Sequence, residues 1–164
     1  MAHATFAKWH VTGMQALKSA CEQAIEASTK AEDQALNVEL QQLVTKLTAL
    51  LTRHGDILAG FLRHAGAEVD AFHDEILDGI NRGTGLMLKA AEDEQITDIS
   101  LLSGSTVAIN YFLVSFTNNT ATTKALGLDE QSATFQQMAQ AHEALGQEFQ
   151  QLGETTIYPH AAQA

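Results

Sequence analysis

Apolar residues recur in steps of three and four along four long segments of the chain. This spacing is typical of a helix that buries one stripe of side chains. The predicted helices cover about residues 5–28, 37–65, 98–126 and 129–152. Their stripes fall at positions like a and d of a coiled coil, so each helix should pack one stripe against its neighbours. In the second helix the stripe is Leu36, Leu40, Leu43, Leu47, Leu50, His54, Ile57, Phe61 and His64. The pattern predicts an all-α protein, an antiparallel four-helix bundle in one domain over residues 1–164, with an irregular tail at 154–164.

Residues that start and stop helices flank these segments. Asn37 and Asp98 stand at the starts of the second and third segments. A side-chain oxygen there can accept a hydrogen bond from a free N–H group of the first turn. Gly66, Gly127 and Gly153 follow the last turns of three segments. Glycine readily adopts the left-handed conformation that commonly ends a helix, so these residues are the predicted helix ends.

The connection between the second and third helices, residues 67–97, is much longer than a turn. It contains a shorter amphipathic piece at residues 74–91, which Gly79, Gly83 and Gly85 are expected to interrupt. A connection of this length suits a crossover that travels along the bundle and carries its own short helix.

Composition narrows the class of protein. Hydrophobic residues form 45% of the chain, which is enough for a packed core. The net charge of −11 argues against nucleic acid and anionic membrane surfaces as partners. Cys21 is the only cysteine, so no internal disulfide can form and a reducing compartment is allowed. With no signal-peptide pattern and no run of about 18 apolar residues, a cytoplasmic protein is expected.

Several short motifs resemble one known family. The stretch Asp98-Ile-Ser-Leu-Leu, followed by Asn110-Tyr111 and Ala125-Leu126-Gly127, resembles the bacterial YciE/YciF-type ferritin-like proteins. His54-Gly55-Asp56-Ile57 resembles the family's His-Gly-x-Ile segment, and Ser19-Ala20-Cys21-Glu22-Gln23 falls where the family has its first-helix glutamate. The resemblance covers about residues 19–150. It implies a ferritin-like bundle with a crossover connection, a homodimer and a role in bacterial stress responses.

The resemblance also implies a di-metal centre at mid-bundle, which needs several carboxylates. This sequence departs from that pattern at almost every ligand. Leu51 stands where the glutamate of Glu-x-x-His should precede His54, and Ile109 and Phe112 occupy the two acidic positions of the third helix. His142 replaces an acidic residue on the fourth helix. Two cations in such an apolar core would be very costly, so neither a di-iron site nor an enzymatic activity is expected.

Three polar residues remain in the buried stripes, each on a different helix. Cys21, His54 and His142 fall near one level of the bundle if the resemblance holds. A thiolate and two imidazoles suit one Zn or Cu ion, and Met138, one turn before His142, is a further candidate ligand. The plainer interpretation has neutral core histidines, hydrogen-bonded to each other, to Thr106 or to water, and Cys21 as a small hydrophobe.

Two further groups of residues have both a plain and a functional interpretation. Acidic residues and a histidine in the connection suggest either a surface metal site or, as we favour, the start of a helix; they are Glu68, Asp70, His73, Asp74 and Glu75. The third helix is rich in Ser, Thr and Asn, and it offers either a plain soluble surface or a dimer face; the candidate residues for such a face are Tyr111, Phe112, Phe116 and Asn119.

The sequence thus leaves two functional hypotheses. In the first, the protein is a non-catalytic, stress-related bundle that has lost its di-iron centre, holds no cofactor and acts by self-association or by binding a protein partner. In the second, it binds one Zn or Cu ion, or transfers electrons, through Cys21, His54 and His142.

Overall fold

The computed structural model describes residues 2–163, so Met1 and Ala164 of the predicted domain and tail lie outside the described residues. No strand occurs between residues 2 and 163. The helices are α1 (Ala2–Gln34), α2 (Val38–His64), α3 (Glu75–Ala90), α4 (Glu94–Ala125) and α5 (Asp129–Leu152), then a π-helix (Gly153–Ile157) and α6 (Tyr158–Ala161). The all-α prediction is confirmed.

Four long helices form the bundle, and α3 is the short helix of the predicted crossover. Short turns pair α1 with α2 and α4 with α5, while α1 also contacts α4 and α2 contacts α5. Asp98 near the start of α4 binds the backbone at the α1–α2 turn. Helix α4 therefore begins at the end of the bundle where α2 begins. The connection between them must travel the length of the bundle, which confirms the ferritin-like arrangement.

The predicted ends of the second helix and of the third are confirmed in part. The Asn37 side chain accepts a hydrogen bond from the Leu40 N–H at 3.0 Å, as expected of a helix start. Gly66 and Gly127 have φ values of +67° and +73°, so each ends a helix in the left-handed conformation. Helix α5 ends at Leu152, before Gly153, as predicted, but Gly153 is not left-handed: its φ is −56°, and the chain continues into the π-helix.

Asp98 does not start α4, as the sequence suggested. Helix α4 begins one turn earlier at Glu94, where the Asp93 side chain accepts a hydrogen bond from the Ile96 N–H at 2.8 Å. Asp98 lies buried inside the helix and accepts from the backbone N–H groups of Leu36 at 2.9 Å and Asn37 at 3.0 Å. Its carboxylate thus holds the turn that precedes α2, instead of capping α4.

Three other predictions of helix extent are wrong. Helix α1 continues to Gln34 rather than ending near residue 28. Helix α3 runs without interruption through its three glycines, because the helix packs against α4 and α1. The tail is helical rather than irregular, since Ile157 is buried and anchors the last turns to the bundle.

The core lies between the four long helices. The predicted stripes of the first and fourth helices are buried throughout. In α2 the predicted positions Leu50, Ile57 and Phe61 are only half-buried; fully buried there instead are Leu51, Leu58 and Leu62. Both rows of α2 are covered in part because this helix touches α1 on one flank and α5 on the other.

Helix α4 is the most apolar helix. By length and composition it could cross a membrane, a test that the core helix of a soluble bundle also passes. Its inward face supplies Phe112 and Phe116, both fully buried, so the predicted dimer face that included them is wrong. Their rings lie 5.9 Å apart and fill the centre of the bundle.

Candidate functional site

The central layer of the bundle contains hydrocarbon side chains where the related family is expected to carry carboxylates. Leu51 of α2 and Ile109 and Phe112 of α4 are all buried, with at most 1% of each residue exposed. None of these side chains can bind a metal. The residues at this level therefore do not fit a di-metal carboxylate centre, because two cations would lack the anionic ligands that offset their charge.

His54 of α2 and His142 of α5 meet in this layer. Both are buried, and their ring centroids lie 5.1 Å apart with an interplanar angle of 36°. Phe116 packs edge-on against His54 at 5.4 Å. Phe112 and Phe116 each lie 5.3 Å from the His142 ring. The prediction that the two histidines lie at one level of the bundle is thus correct. In the structure, aromatic rings surround them.

The hydrogen bond of His142 fixes its tautomer. Its Nδ1 lies 3.1 Å from the carbonyl oxygen of Met138, which can only accept, so Nδ1 carries the hydrogen and Nε2 carries the lone pair. Within residues 2–163, His142 Nε2 and His54 Nδ1 are buried without a hydrogen-bond partner. The hydroxyl of Thr106 donates to the Leu102 carbonyl instead. The predicted hydrogen bonds to the other imidazole and to Thr106 are therefore not formed at His142 Nε2.

Burial keeps both imidazoles neutral. It lowers the pKa of His142 to about 4, against the weaker opposing effect of the Met138 carbonyl. Burial, and then the proximity of His142 and Arg53, lowers the pKa of His54 to about 3. Both rings are therefore uncharged at neutral pH, as expected for histidines surrounded by apolar side chains.

Cys21 lies beside this pair but is not grouped with it. Its Cβ is 3.5 Å from the position that a Cβ on Gly55 would take, so the thiol packs between α1 and α2. Burial, with Glu22 nearby, raises the pKa of the thiol, which stays protonated. Among residues 2–163, the ligand atoms of Cys21, His54 and His142 do not all come within 4.8 Å of one another. The mononuclear site stays a prediction.

The acidic cluster of the connection has two different parts. His73 and Glu75, together with Asp78, place ligand atoms within 4.8 Å of one another at the exposed start of α3. Asp74 is buried instead and starts α3, because its carboxylate accepts from the Leu77 N–H at 2.7 Å. The favoured interpretation as a helix start thus describes Asp74 correctly.

Sequence reasoning missed the second role of Asp74. The Tyr111 hydroxyl of α4 donates to its carboxylate at 2.5 Å, and the Asp74 N–H donates to the Ser19 hydroxyl of α1 at 3.2 Å. These bonds tie the crossover to two helices of the bundle. The acidic residues of this segment indicated the helix start, but no local signal indicated the contact with Tyr111, 37 residues away.

The chain matches the sequence family described as "Domain of unknown function (DUF892)" over residues 5–162. No curated protein sequence matches it significantly.

Two solved structures share the fold. One is YcfI of Rhodopseudomonas palustris, provisionally described as a structural protein: the TM-score is 0.83 at 16% identity, over 88% of this chain and 92% of that one. The other is the E. coli stress protein YciF, with a TM-score of 0.83 at 12% identity, over 90% of this chain and 93% of that one. Similarities at these identities establish the bundle architecture.

Proposed function

This chain belongs to the DUF892 family, in agreement with its YciE/YciF-type resemblance, and from that premise we propose that it is a non-catalytic, stress-related bundle that acts by self-association. The observation that supports the proposal is the central layer, where the buried side chains of Leu51, Ile109 and Phe112 are apolar at positions for which the resemblance implies metal ligands. The stress-related role follows the description of YciF as a stress protein. The same proposal places the protein in the cytoplasm, where a free, buried Cys21 is stable.

The absence of a di-metal centre is tested by elemental analysis of untagged protein produced with iron and manganese supplied. Anomalous scattering at both metal edges, measured on crystals of that protein, locates any ion. We expect no pair of ions at the level of His54 and His142. Two peaks about 3.5–4 Å apart at that level would overturn the proposal.

The outward face of α3 supports self-association. Ile76, Leu86 and Met87 are 65%, 67% and 51% exposed, although all three are large and apolar. Gly79 and Gly83 lie on the same side of the helix, and nothing among the described residues comes within 4 Å of a Cβ added at either. Without side chains there, a second helix can approach closely. Exposed apolar surface of this kind marks interaction sites more often than single scattered residues do.

The inward face of α3 is firmly held, so the outward face is rigidly presented. Leu77 is fully buried, and Thr84 packs against Gly104 of α4 so closely that a Cβ added at Gly104 would lie 2.4 Å from the Thr84 methyl carbon. Only glycine at position 104 allows this approach. The helix therefore has a fixed position against the bundle, with a second apolar face directed away from it.

Charge along α3 favours an antiparallel second copy as the occupant of this face. Its first turn is acidic, with Glu75 and Asp78, and its last turn carries Lys89. In an antiparallel pair of α3 helices centred near Gly83, each acidic turn approaches the basic turn of the other copy. A twofold-symmetric contact with this self-complementary pattern is the commonest form of homodimer.

The dimer is tested by sedimentation equilibrium of the full chain and of a Met87→Glu variant. We expect the wild-type protein to be a dimer, and the variant to dissociate because the new carboxylate meets the acidic turn of the other copy. Val114→Glu is the matched control, since Val114 is 58% exposed on the outer side of α4. A monomeric wild type, or equal dissociation of both variants, would contradict this interface.

A single bound ion is the alternative proposal. The unpartnered nitrogens of His54 and His142 favour it. His142 in particular bonds a backbone carbonyl through its other nitrogen, as metal-binding histidines commonly do. Cys21 and Met138 remain its candidate further ligands, for Zn or Cu. The alternative requires one ion per chain in untagged protein, lost in a His54→Leu, His142→Leu double variant. Loss in a Cys21→Ala variant as well would assign the thiol a role.

A further inference from the structure

The first two turns of helix α1 are exposed around almost the whole helix. From His3 to Trp9 every residue except Ala7 is exposed. The next residue, His10, is buried, and its ring lies 6.2 Å from that of Phe135 near the start of α5. A short helical segment with so few packing contacts gains little stability from its own hydrogen bonds. A surface that covers residues 3–9, the α1 tip, would therefore stabilise it.

The α1 tip combines exposed aromatic rings with positive charge. Phe6 and Trp9 are 38% and 63% exposed, and their rings stack with centroids 6.1 Å apart at an angle of 12°. Lys8 gives the tip a positive charge, and no Asp or Glu occurs before residue 22. Basic residues also stand in the last turns of α2 and α4, which end where α1 begins, although acidic residues begin α5 there. The tip therefore suits an apolar surface that carries negative charge.

The opposite end of the bundle has such a surface. Leu36 and Val38 of the α1–α2 turn are 51% and 62% exposed. Helix α4 begins beside this turn, since Asp98 accepts hydrogen bonds from its backbone. Acidic residues lie before the turn, after it and at the start of α4; they are Glu32, Asp33, Glu39, Glu92, Asp93 and Glu94. The last turns of α1 and α5 have no basic residue, and Lys89 ends α3. This turn face is therefore apolar with an excess of negative charge.

We propose that the α1 tip of one copy docks on the turn face of a second copy, with Phe6 and Trp9 against Leu36 and Val38. Lys8 then approaches the acidic residues of the turn face. The two surfaces of one chain are about 50 Å apart, the length of the 33-residue helix α1. A contact between two different surfaces does not close on two copies, so it joins chains head to tail. It extends the proposed self-association through surfaces other than the outward face of α3.

Charge favours this pairing over the two symmetric ones. A contact between two α1 tips would bring Lys8 of one copy towards Lys8 of the other, and a contact between two turn faces would bring two acidic surfaces together. Like charges that meet in a contact oppose it, whereas opposite charges steer the encounter and fix its register. An anionic membrane is also a poor occupant of the tip, because the net charge of the chain is −11.

Two variants that each remove one surface test the contact by complementation. Trp9→Glu places a carboxylate in the tip, and Val38→Arg places a cation in the turn face; both residues are exposed, so both changes should be tolerated by the fold. Every protein in the experiment also carries Met87→Glu, so failure of the α3 dimer and failure of the end contact are distinguishable. Each variant alone should be a monomer. Their mixture retains one complete pair, the tip of Val38→Arg and the turn face of Trp9→Glu.

Tryptophan fluorescence reports the pairing, because Trp9 is the only tryptophan of the chain. We expect the emission of the Val38→Arg protein to move saturably to shorter wavelength as the Trp9→Glu protein, which has no tryptophan, is added. Sedimentation velocity of the mixture should show a species of two chains. Lys8→Glu on the tryptophan-containing chain should weaken the binding about threefold or more, since it reverses a charge at the contact.

Two further titrants serve as controls. A Trp9→Glu, Val38→Arg protein lacks both surfaces and should cause no shift, whereas a Trp9→Glu, Val114→Glu protein should act like Trp9→Glu, because Val114 lies on the outer side of α4. The proposal is overturned if the Trp9→Glu protein causes no shift up to about 1 mM, the range of weak contacts, or if the protein without both surfaces binds equally well. A shift with vesicles of anionic lipid but not with protein would assign the tip to a membrane surface and would also overturn it.

Discussion

Two pairs of buried polar residues in this bundle differ in whether their polar atoms have hydrogen-bond partners. Asp74 and Asp98 each accept two hydrogen bonds, and each joins elements that are far apart in the chain. His54 and His142 meet at the centre, where each retains one ring nitrogen without a partner among the described residues. The carboxylates lie near helix ends, where free N–H groups need acceptors. The histidines lie in mid-helix, where the backbone has already satisfied itself.

The difference teaches which buried polar groups hold this fold together. A buried carboxylate that accepts two hydrogen bonds stabilises the native state, because removing it leaves the donors unpaired. A buried imidazole without a partner costs free energy, and its neutral form is the only one that the core tolerates. We therefore expect the carboxylates to be needed for stability, and the histidines to be dispensable for it.

The largest expected effect comes from acidification. Because burial lowers the pKa of His54 to about 3 and that of His142 to about 4, the unfolded chain, with a histidine pKa near 6.5, binds more protons than the native state between these limits. Stability is therefore fully present above about pH 6.5 and falls as the pH decreases towards 4. Each ring lowers the free energy of unfolding by up to about 1.4 kcal/mol per pH unit in this range. Together the two rings should therefore lower it by several kcal/mol.

Urea unfolding between pH 7.5 and pH 4.5 measures this loss. A His54→Leu, His142→Leu double variant should lose much less stability over the same range, since leucine does not titrate. His64→Leu is the control for the substitution itself, because His64 is exposed and lies outside the central layer. If the free energy of unfolding changed equally with pH in the wild type and the double variant, the two histidines would not be the cause of the loss.

The next largest effect is expected for Asp98→Ala. The change leaves the N–H groups of Leu36 and Asn37 without their acceptor and removes a negative charge from the positive end of α2. We expect a loss of about 3 kcal/mol in the free energy of unfolding, as for hydrogen bonds to a charged group. Asp93→Ala, at an exposed cap, should cost only about 1 kcal/mol. Equal costs for the two variants would argue against a special role for Asp98.

A smaller effect is expected when the other carboxylate loses one partner. Tyr111→Phe removes the hydroxyl that donates to Asp74 and should cost about 1–1.5 kcal/mol in the free energy of unfolding. The change should also loosen the crossover, so amide hydrogen exchange should become faster in α3 than in α2. Unchanged exchange in α3 would mean that Tyr111 does not anchor the crossover.

The smallest effect is expected for His54→Leu alone at pH 7.5. The imidazole has an unpaired nitrogen and is surrounded by Phe116 and other apolar groups, so leucine should be tolerated. We expect a change in unfolding free energy within about 1 kcal/mol of zero. A loss of 3 kcal/mol or more in urea unfolding would instead place His54 with the carboxylates as a structural residue.

Much of the fold follows from patterns within single segments of the sequence. Each stripe can be read within one segment, because a helix exposes and buries residues with its own period. The left-handed ends at Gly66 and Gly127 follow from glycine alone. The pairing of His54 with His142 also followed from the sequence, but only through the resemblance to a family.

Other features depended on contacts between distant segments. The sequence offered Asp98 as a local cap, since nothing nearby shows that the α1–α2 turn lies against it. Helix α3 survives three glycines because Thr84 docks on Gly104, and the tail is helical because Ile157 is buried. Each of these outcomes reflects tertiary packing that overrides local propensity.

By itself, the sequence of this protein determined four helices, most of their buried stripes, and hydrocarbon side chains at Leu51, Ile109 and Phe112, where the family resemblance implies metal ligands. Only the tertiary structure decided that the ligand atoms of Cys21, His54 and His142 do not all come within 4.8 Å of one another, and that the buried Nε2 of His142 has no hydrogen-bond partner among residues 2–163. The physical reason is range: helix periodicity is set by neighbours in the chain, whereas the partner of a buried polar atom is set by whichever segments meet around it.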